Sequence, residues 1–237
     1  MSTELYILTS AAASVGFVHA ILGPDHYLPF VAMAKARQWS MSKTAVITTL
    51  CGIGHVLSSV VIGLAGIALG AALASLETLE AIRGEIAAWG LIGFGLFYLV
   101  WGLRRAYRNR PHHHWHSHDD STHHFHEHSH QEEHLHPHYQ QGKANLTPWV
   151  LFVIFAFGPC ESLIPLLMYP ASQQSWANVI WVAGVFGLAT IGTMLAAVLG
   201  LTLGIKRVSL GPLERYGQAL AGGAIVTSGM AIKFLGL

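Results

Sequence analysis

Three of the 16 histidines lie in apolar stretches, where each could bind a metal ion. They are His19, His26 and His55, and Asp25 directly precedes His26. Imidazole nitrogen suits zinc, nickel, copper and iron, whereas magnesium and calcium prefer shells of oxygen atoms. Ionisable side chains within apolar segments mark a transport pathway or a binding site by default. We therefore interpret these residues as candidate ligands of a transition metal, although a lone histidine, His19 above all, can instead bridge helices.

Two similar motifs, one in each half of the chain, begin with a Gly-Pro dipeptide. Residues 23–26 read Gly-Pro-Asp-His, and residues 158–161 read Gly-Pro-Cys-Glu. Proline removes a helix donor, and carbonyl groups freed at membrane depth have to line a protein cavity. We therefore predict a helix break at each motif, with metal ligands beside it. The candidate ligands at the two breaks are Asp25, His26, Cys160 and Glu161.

The two cysteines both lie in apolar runs, so a disulfide framework is not expected to stabilise the chain. Cys51 is one helical turn from His55, and the two side chains can face the same direction. Cys160 would add a soft thiolate to the metal site. Both could instead be small packing residues, which is the interpretation we favour for Cys51.

The segments that position these residues are strongly apolar. Of 237 residues, 52% are hydrophobic and 11% are charged, against about 25% charged in soluble domains. A transmembrane helix needs about 20 mostly apolar residues, and six segments qualify. They lie within residues 5–34 and 44–75, and near residues 86–103, 149–168, 177–205 and 218–235. A soluble all-α protein is disfavoured because the runs show no amphipathic period.

The two halves of the chain align at an offset that pairs residue 23 with residue 158, and that becomes one residue shorter after a gap, so that residue 69 pairs with residue 203. Each half has three spans, so the second copy would enter the membrane upside down. Such inverted repeats are typical of secondary transporters, whose substrate site lies near the midplane on interrupted helices. We predict an all-α polytopic membrane protein of six transmembrane helices, arranged as two inverted three-helix repeats with broken first and fourth helices. The repeats are residues 1–103 and 148–237, around a polar segment at residues 104–147.

Lysine and arginine are concentrated between spans one and two, three and four, and five and six. These residues are Lys35, Arg37, Lys43, Arg104, Arg105, Arg108, Arg110, Lys143, Lys206, Arg207 and Arg215. Basic loops face the cytoplasm, so we expect an inner-membrane protein with both termini outside. Glu77, Glu80, Arg83 and Glu85 are assigned to the opposite side. The N-terminus lacks a basic leader, and we expect the first apolar run to stay in the mature protein.

The polar segment between the halves contains a histidine-rich stretch at residues 112–138. Its 13 histidines are His112, His113, His114, His116, His118, His123, His124, His126, His128, His130, His134, His136 and His138. Alternating His-x-His spacing supplies imidazole clusters for divalent ions. We expect this stretch to be disordered without metal and to capture metal in the cytoplasm, which favours export over import. The rival interpretations are a purification tag and a low-complexity spacer.

The stretch from His19 to Asp25-His26, with Gly54-His55 and the histidine-rich middle segment, resembles the NicO-type nickel/cobalt transporters. It is also similar to the related urease-accessory-like and sulfite-exporter-like membrane families. The resemblance implies a polytopic transporter whose metal ligands include His19, Asp25 and His26. Sulfite-exporter-like relatives keep a different substrate class open.

These observations predict a secondary transporter of a divalent transition-metal cation, nickel or cobalt first, then zinc, iron or manganese. The chain has no nucleotide-binding loop, so an ion gradient or a partner is expected to supply the energy, and protons are one candidate for the coupling ion. The net charge of +1 argues against a nucleic-acid partner, no hydrolase motif is present, and a homo-oligomer stays open. The alternatives are an exporter of sulfite or a small sulfur-containing anion, and a membrane dithiol or metal-delivery maturation protein using Cys51 and Cys160.

Overall fold

A computed structural model describes residues 3–70, 73–108, 147–158, 160, 162–208 and 211–236, and the backbone of residues 116–117 and 123–124. Within these residues the chain forms eight α-helices, which are α1 (Thr3–Leu22), α2 (Leu28–Ala36), α3 (Met41–Ala68), α4 (Leu73–Arg108), α5 (Thr147–Phe157), α6 (Leu163–Ser172), α7 (Trp176–Arg207) and α8 (Gly217–Leu235). Short 3-10 helices cover Pro24–His26 and Gly211–Tyr216. Two-residue strands, β1 (His116–Ser117) and β2 (His123–His124), pair antiparallel.

Five helical segments of the described chain are long and apolar enough to cross a membrane. They are Thr3–Leu22, Met41–Ala68, Leu73–Arg108, Trp176–Arg207 and Leu213–Leu235. The protein is therefore an all-helical membrane protein apart from the short strand pair. The predicted fourth span is divided between α5 and α6, each of which is too short to cross alone. Because one bilayer crossing takes about 20 residues, six spans stay a prediction.

Both helix breaks fall at the Gly-Pro motifs. α1 ends at Leu22 and α2 begins at Leu28, whereas α5 ends at Phe157 and α6 begins at Leu163. The alignment of the two halves pairs the first residue of α2 with the first residue of α6. It also pairs the first residue of α3, Met41, with the first residue of α7, Trp176. The helix boundaries around the two breaks thus follow the offset at which the two halves align.

Glycines allow α4 and α8 to approach closely and show that they run antiparallel. A Cβ on Gly95 would lie 2.7 Å from the backbone N of Val226, and one on Gly229 would lie 2.9 Å from the carbonyl oxygen of Ala88. From the first contact to the second, the residue number falls on α4 and rises on α8, so the two helices run in opposite directions. Small residues let membrane helices pack backbone to backbone, so this pair forms a close contact between the two halves.

Helices α3 and α7 also pack closely through glycines, and their two contacts are equivalent in the alignment of the halves. A Cβ on Gly52 would lie 3.1 Å from Ile191, and one on Gly187 would lie 3.1 Å from Val56. The alignment of the halves pairs position 52 with position 187, and position 56 with position 191. Each contact therefore becomes the other when the halves are exchanged, and α3 runs antiparallel to α7.

The broken first helix follows α7 along its length. Trp181 donates from Nε1 to Oγ1 of Thr9 (3.0 Å) near the start of both helices. Farther along, Lys35 on α2 donates from Nζ to the carbonyl oxygen of Val208 (3.1 Å). Residue numbers rise together in both elements, so α1 and α2 form one interrupted path parallel to α7.

The basic segments meet at one end of the bundle. Lys206 donates to the carbonyl oxygen of Trp39 (2.6 Å), and Arg37 lies 5.5 Å from the ring of Trp101 near the end of α4. At the other end, Glu85 pairs with Lys233 of α8. The predicted grouping of the basic loops at one end agrees with these contacts, whereas their cytoplasmic location stays a prediction.

The predicted third span, near residues 86–103, is shorter than the helix α4 that the structure shows. α4 begins at Leu73 rather than near residue 86, and it ends at Arg108, inside the segment predicted to be a polar loop. The charged residues near its start suggested a loop. Glu80 and Arg83, however, are buried and paired with each other, so each charge is compensated inside the bundle.

Candidate metal centre

The three membrane histidines come together at the first helix break. His19 lies in the last turn of α1, His26 ends the 3-10 helix, and His55 lies near the middle of the 28 residues of α3. One ring nitrogen from each lies within 4.8 Å of the others. His26 and His55 are each 2% exposed, and His19 is half-buried. The mid-helix position of His55 places this cluster near the middle of the bundle.

Two of the histidines point nitrogen atoms directly at each other. Nε2 of His26 lies 3.4 Å from Nε2 of His55. Nδ1 of His26 is 3.2 Å from the carbonyl oxygen of Gly23, and Nδ1 of His55 is 3.3 Å from that of Phe155. With each proton on Nδ1, both rings donate to these carbonyls and both Nε2 lone pairs face one point. Metal-binding histidines are commonly oriented in this way by a carbonyl or carboxylate behind the ring.

The spacing of these nitrogens suits a tetrahedral metal ion. Two imidazole nitrogens at about 2.0–2.1 Å from one ion, at a tetrahedral angle, lie about 3.4 Å apart. The Nε2 atoms of His26 and His55 have this separation in the structure. These two rings can therefore accept an ion with little rearrangement.

Cys160 joins the cluster through His19. Its Sγ lies 3.6 Å from Nε2 of His19, and the residue is fully buried just after α5 ends. A thiolate at about 2.3 Å and an imidazole at about 2.0–2.1 Å from one tetrahedral ion lie about 3.5–3.6 Å apart. Cys160 is not among the three side chains whose ligand atoms lie within 4.8 Å of one another, so it stands at the edge of the site.

Asp25 lies beside His26 rather than within the group of three nitrogens. Its Oδ1 is 3.2 Å from Nδ1 of His26, the nitrogen that faces away from His55. No described donor forms a well-aligned hydrogen bond to this buried oxygen. A negative charge beside the imidazole favours a cation nearby, so Asp25 can support the candidate site without binding the ion itself.

The glycine of each Gly-Pro motif packs against a site histidine. A Cβ on Gly23 would overlap Nδ1 of His26, and one on Gly158 would lie 3.0 Å from Nδ1 of His55. Neither position has room for a side chain without moving the ring beside it. The breaks thus let the backbone approach the imidazoles and present carbonyl groups to them.

A buried ion pair that sequence reasoning missed holds the second break. Glu80 and Arg83 pair on α4, and Arg83 Nη2 donates to the carbonyl oxygens of Ala156 (2.9 Å) and Gly158 (3.4 Å). Glu80 Oε2 accepts from the backbone N–H of Cys160 (3.0 Å). The pair therefore satisfies backbone groups that the break leaves without helical partners.

A cavity of about 670 Å³ leads from the histidines towards one end of the bundle. His19, Asp25 and His26 line its inner part, and Glu85 and Lys233 line it at the end opposite the basic segments. The walls between come from α1, α4 and α8. A small cation could therefore reach His19 and His26 from this end.

Among the remaining candidate residues, Cys51 is the one whose side chain the structure describes. Cys51 packs in an apolar cluster with Phe30, Leu151 and Met194, which agrees with its interpretation as a packing residue. Glu161 lies outside the described residues. So do most of the 13 histidines of residues 112–138. His116, His123 and His124 are described only as backbone in β1 and β2.

The chain matches one protein family over residues 27–231, described as the cytochrome c biogenesis protein transmembrane region. That range includes His55, Cys160 and the second break, and it starts just after His26. No curated protein and no solved structure matches the chain. The match to the NicO-type and sulfite-exporter-like families expected from the sequence was not found. Because the matched range covers most of its length, the chain belongs to the family of the cytochrome c biogenesis protein transmembrane region.

Proposed function

We propose that this protein is a membrane transporter of a divalent transition-metal cation, with nickel or cobalt first and zinc, iron or manganese after them. The observation that carries the proposal is the pair of Nε2 atoms of His26 and His55, 3.4 Å apart inside the bundle. Their outer nitrogens face backbone carbonyls. A third imidazole, His19, and the thiol of Cys160 complete a ligand set suited to borderline and soft cations.

An inverted repeat is the architecture that we propose around this site. The reciprocal contacts of Gly52 with Ile191 and of Gly187 with Val56 support a two-fold relation between the halves. The antiparallel course of α4 and α8 supports an axis in the membrane plane. In such transporters the site lies between the repeats on broken helices, and here His55 of the first half faces Phe155 of the second.

Export is the direction that we propose. The histidine-rich residues 112–138 follow α4 at the basic end of the bundle, which basic residues assign to the cytoplasm. The cavity beside His19 and Asp25 opens towards the opposite end. Metal captured inside the cell would pass to the histidines and leave through this cavity, with a proton gradient as the energy source.

Transport into sealed vesicles tests this proposal. Purified protein is reconstituted in liposomes that contain a metal-sensitive dye, and uptake of nickel, cobalt, zinc and manganese is compared. His26→Ala and His55→Ala should each reduce the rate by at least about tenfold, since even residues behind metal ligands have effects of this order. Thr202→Val is the matched control, because Thr202 on α7 is buried and its hydroxyl has no hydrogen-bond partner among the described residues. Equal rates for the histidine variants and wild type would refute the metal pathway.

A second candidate is a membrane maturation protein that handles thiols or delivers metal. The family match favours it, as does the contact of Cys160 with His19. Cys51 and Cys160 pack in different apolar clusters, which disfavours a direct dithiol between them. Cys51→Ser separates the two candidates: a dithiol protein loses its activity, whereas the transporter proposed here retains transport.

Export of sulfite or a similar anion is the third candidate, and the cavity disfavours it. Asp25 presents a carboxylate oxygen without a well-aligned donor beside the cavity. Such a group repels an anion and attracts a cation. Cells that lack the protein should change in metal content if it moves metal, and in sulfite tolerance if it moves sulfite.

A further inference from the structure

A second cavity, which is lined by none of the three histidines of the candidate site, lies between α4 and α5 at the basic end of the bundle. It measures about 370 Å³, and we call it the aromatic groove. Its lining residues are Arg37, Phe94, Phe97, Tyr98, Trp101, Thr147 and Val150. Four of these seven residues are aromatic, and the only formal charge among them is that of Arg37. The groove therefore combines a long apolar wall with one cation.

The guanidinium of Arg37 has no anion among the described residues. Its Nη2 donates to Oγ1 of Thr147 (3.3 Å), and its centre lies 5.4 Å from the ring of Tyr98 and 5.5 Å from that of Trp101. Its Nε is buried without a hydrogen-bond acceptor in the described part of the chain. A buried donor without an acceptor is unfavourable, so the site is suited to a ligand that supplies an oxygen anion.

The outer wall of the groove faces the region that lipid occupies. Phe97 is 69% exposed, and Val150 is also exposed, although both belong to apolar membrane helices. Tyr98 and Trp101 lie nearer the basic end of α4, where aromatic rings mark the boundary between lipid and water. The charge of Arg37 is thus at headgroup level, and the apolar wall continues towards the bilayer centre.

We propose that the aromatic groove binds one anionic phospholipid, with its phosphate on Arg37 and an acyl chain along Phe94, Phe97 and Val150. Arg105, 5.7 Å from the ring of Trp101, adds a second cation at the same level. Basic pockets between membrane helices on the cytoplasmic side are suited to anionic headgroups. This proposal depends on the membrane location of the chain and is independent of the transported substrate.

Competition between lipids on the full chain in detergent tests the assignment. Phosphatidylglycerol and phosphatidylcholine with identical acyl chains are added, and retained lipid is counted by native mass spectrometry. Wild type should prefer phosphatidylglycerol, and Arg37→Gln should reduce that preference about five- to tenfold, the effect of one interfacial cation. Arg215→Gln is the matched control, because Arg215 lies over Tyr216 in the segment between α7 and α8. An equal loss in both variants would indicate diffuse charge and overturn the proposal.

Three further experiments test the apolar wall of the groove, a free anion as its ligand, and residues 112–138 as its occupant. Val150→Trp should fill the groove and reduce binding of both lipids while leaving Arg37 in place. Inorganic phosphate alone should not displace phosphatidylglycerol, and displacement would mean that the site binds a free anion. If wild type shows no lipid preference and deletion of residues 112–138 creates one, acidic residues of that segment occupy the groove, and the lipid assignment is wrong.

Discussion

Nδ1 of His55 lies 3.3 Å from the carbonyl oxygen of Phe155, so the central candidate ligand of one half is oriented by the broken helix of the other. Phe155 stands in the last turn of α5. A shift of α5 against α3 would turn the imidazole of His55 away from His26. The proposed metal site is therefore sensitive to the relative position of the two halves, which is the property that the proposed alternating-access transport needs.

Gly158→Ala should weaken metal binding without changing any ligand. The new Cβ would lie 3.0 Å from Nδ1 of His55 and 3.1 Å from the carbonyl oxygen of Phe155, so the ring has to move. We expect a loss of about 10- to 100-fold in affinity, the range for changes behind metal ligands. Isothermal titration of purified protein measures it.

Gly192→Ala is the matched control for this change. Gly192 lies within α7, and a Cβ there would have no neighbour within 4 Å in the described chain. Alanine favours a helix over glycine, so affinity should stay unchanged and stability should not fall. Equal affinities for Gly158→Ala and Gly192→Ala would show that the second break does not position His55.

Arg83→Met should destabilise the bundle strongly. The change leaves Glu80 as an uncompensated buried charge and removes the donor to the carbonyls of Ala156 and Gly158. Breaking a buried pair in this way costs about 3–5 kcal/mol. Denaturant unfolding in detergent, followed by circular dichroism, measures the change in free energy.

Glu85→Gln supplies the comparison on the same helix. Glu85 also forms an ion pair, with Lys233, but its side chain is 48% exposed. Exposed pairs contribute little to stability, so the unfolding midpoint should stay at the wild-type value. If Arg83→Met were as stable as Glu85→Gln, the buried pair would not hold the second break.

Deletion of residues 112–138 should leave the mid-bundle site intact. All 13 histidines of that segment are lost, whereas His19, His26 and His55 remain. Transport should need several-fold more external metal for half-maximal rate but should reach the wild-type maximum. Loss of all transport at saturating metal would mean that the segment is part of the pathway itself.

The amino-acid sequence was informative about the breaks and the histidines because their physical signals are local. Proline interrupts a helix by its own covalent structure, and the helices end at Leu22 and Phe157, just before the two Gly-Pro motifs, as predicted. His19, His26 and His55 stood out because ionisable groups are rare in apolar segments. The sequence alone does not show that the three side chains lie together, because His55 contacts His26 only through the packing of α3.

The start of α4 could not be predicted in the same way. Glu80 and Arg83 resemble loop residues when hydropathy is averaged along the chain, yet Glu80 is fully buried. Their partners, the amide of Cys160 and the carbonyls of Ala156 and Gly158, belong to the second half of the chain. The one local signal was the spacing of the two charges, which puts them on one helix face.

X-ray absorption spectroscopy identifies the atoms that bind the ion in the chain lacking residues 112–138, loaded with one equivalent of nickel, cobalt or zinc. Binding by His19, His26 and His55 should give imidazole scattering at about 2.0–2.1 Å. A sulfur shell at about 2.3 Å should disappear in Cys160→Ser. A shell of oxygen atoms alone, unchanged in His26→Ala and His55→Ala, would show that the histidines do not bind the ion.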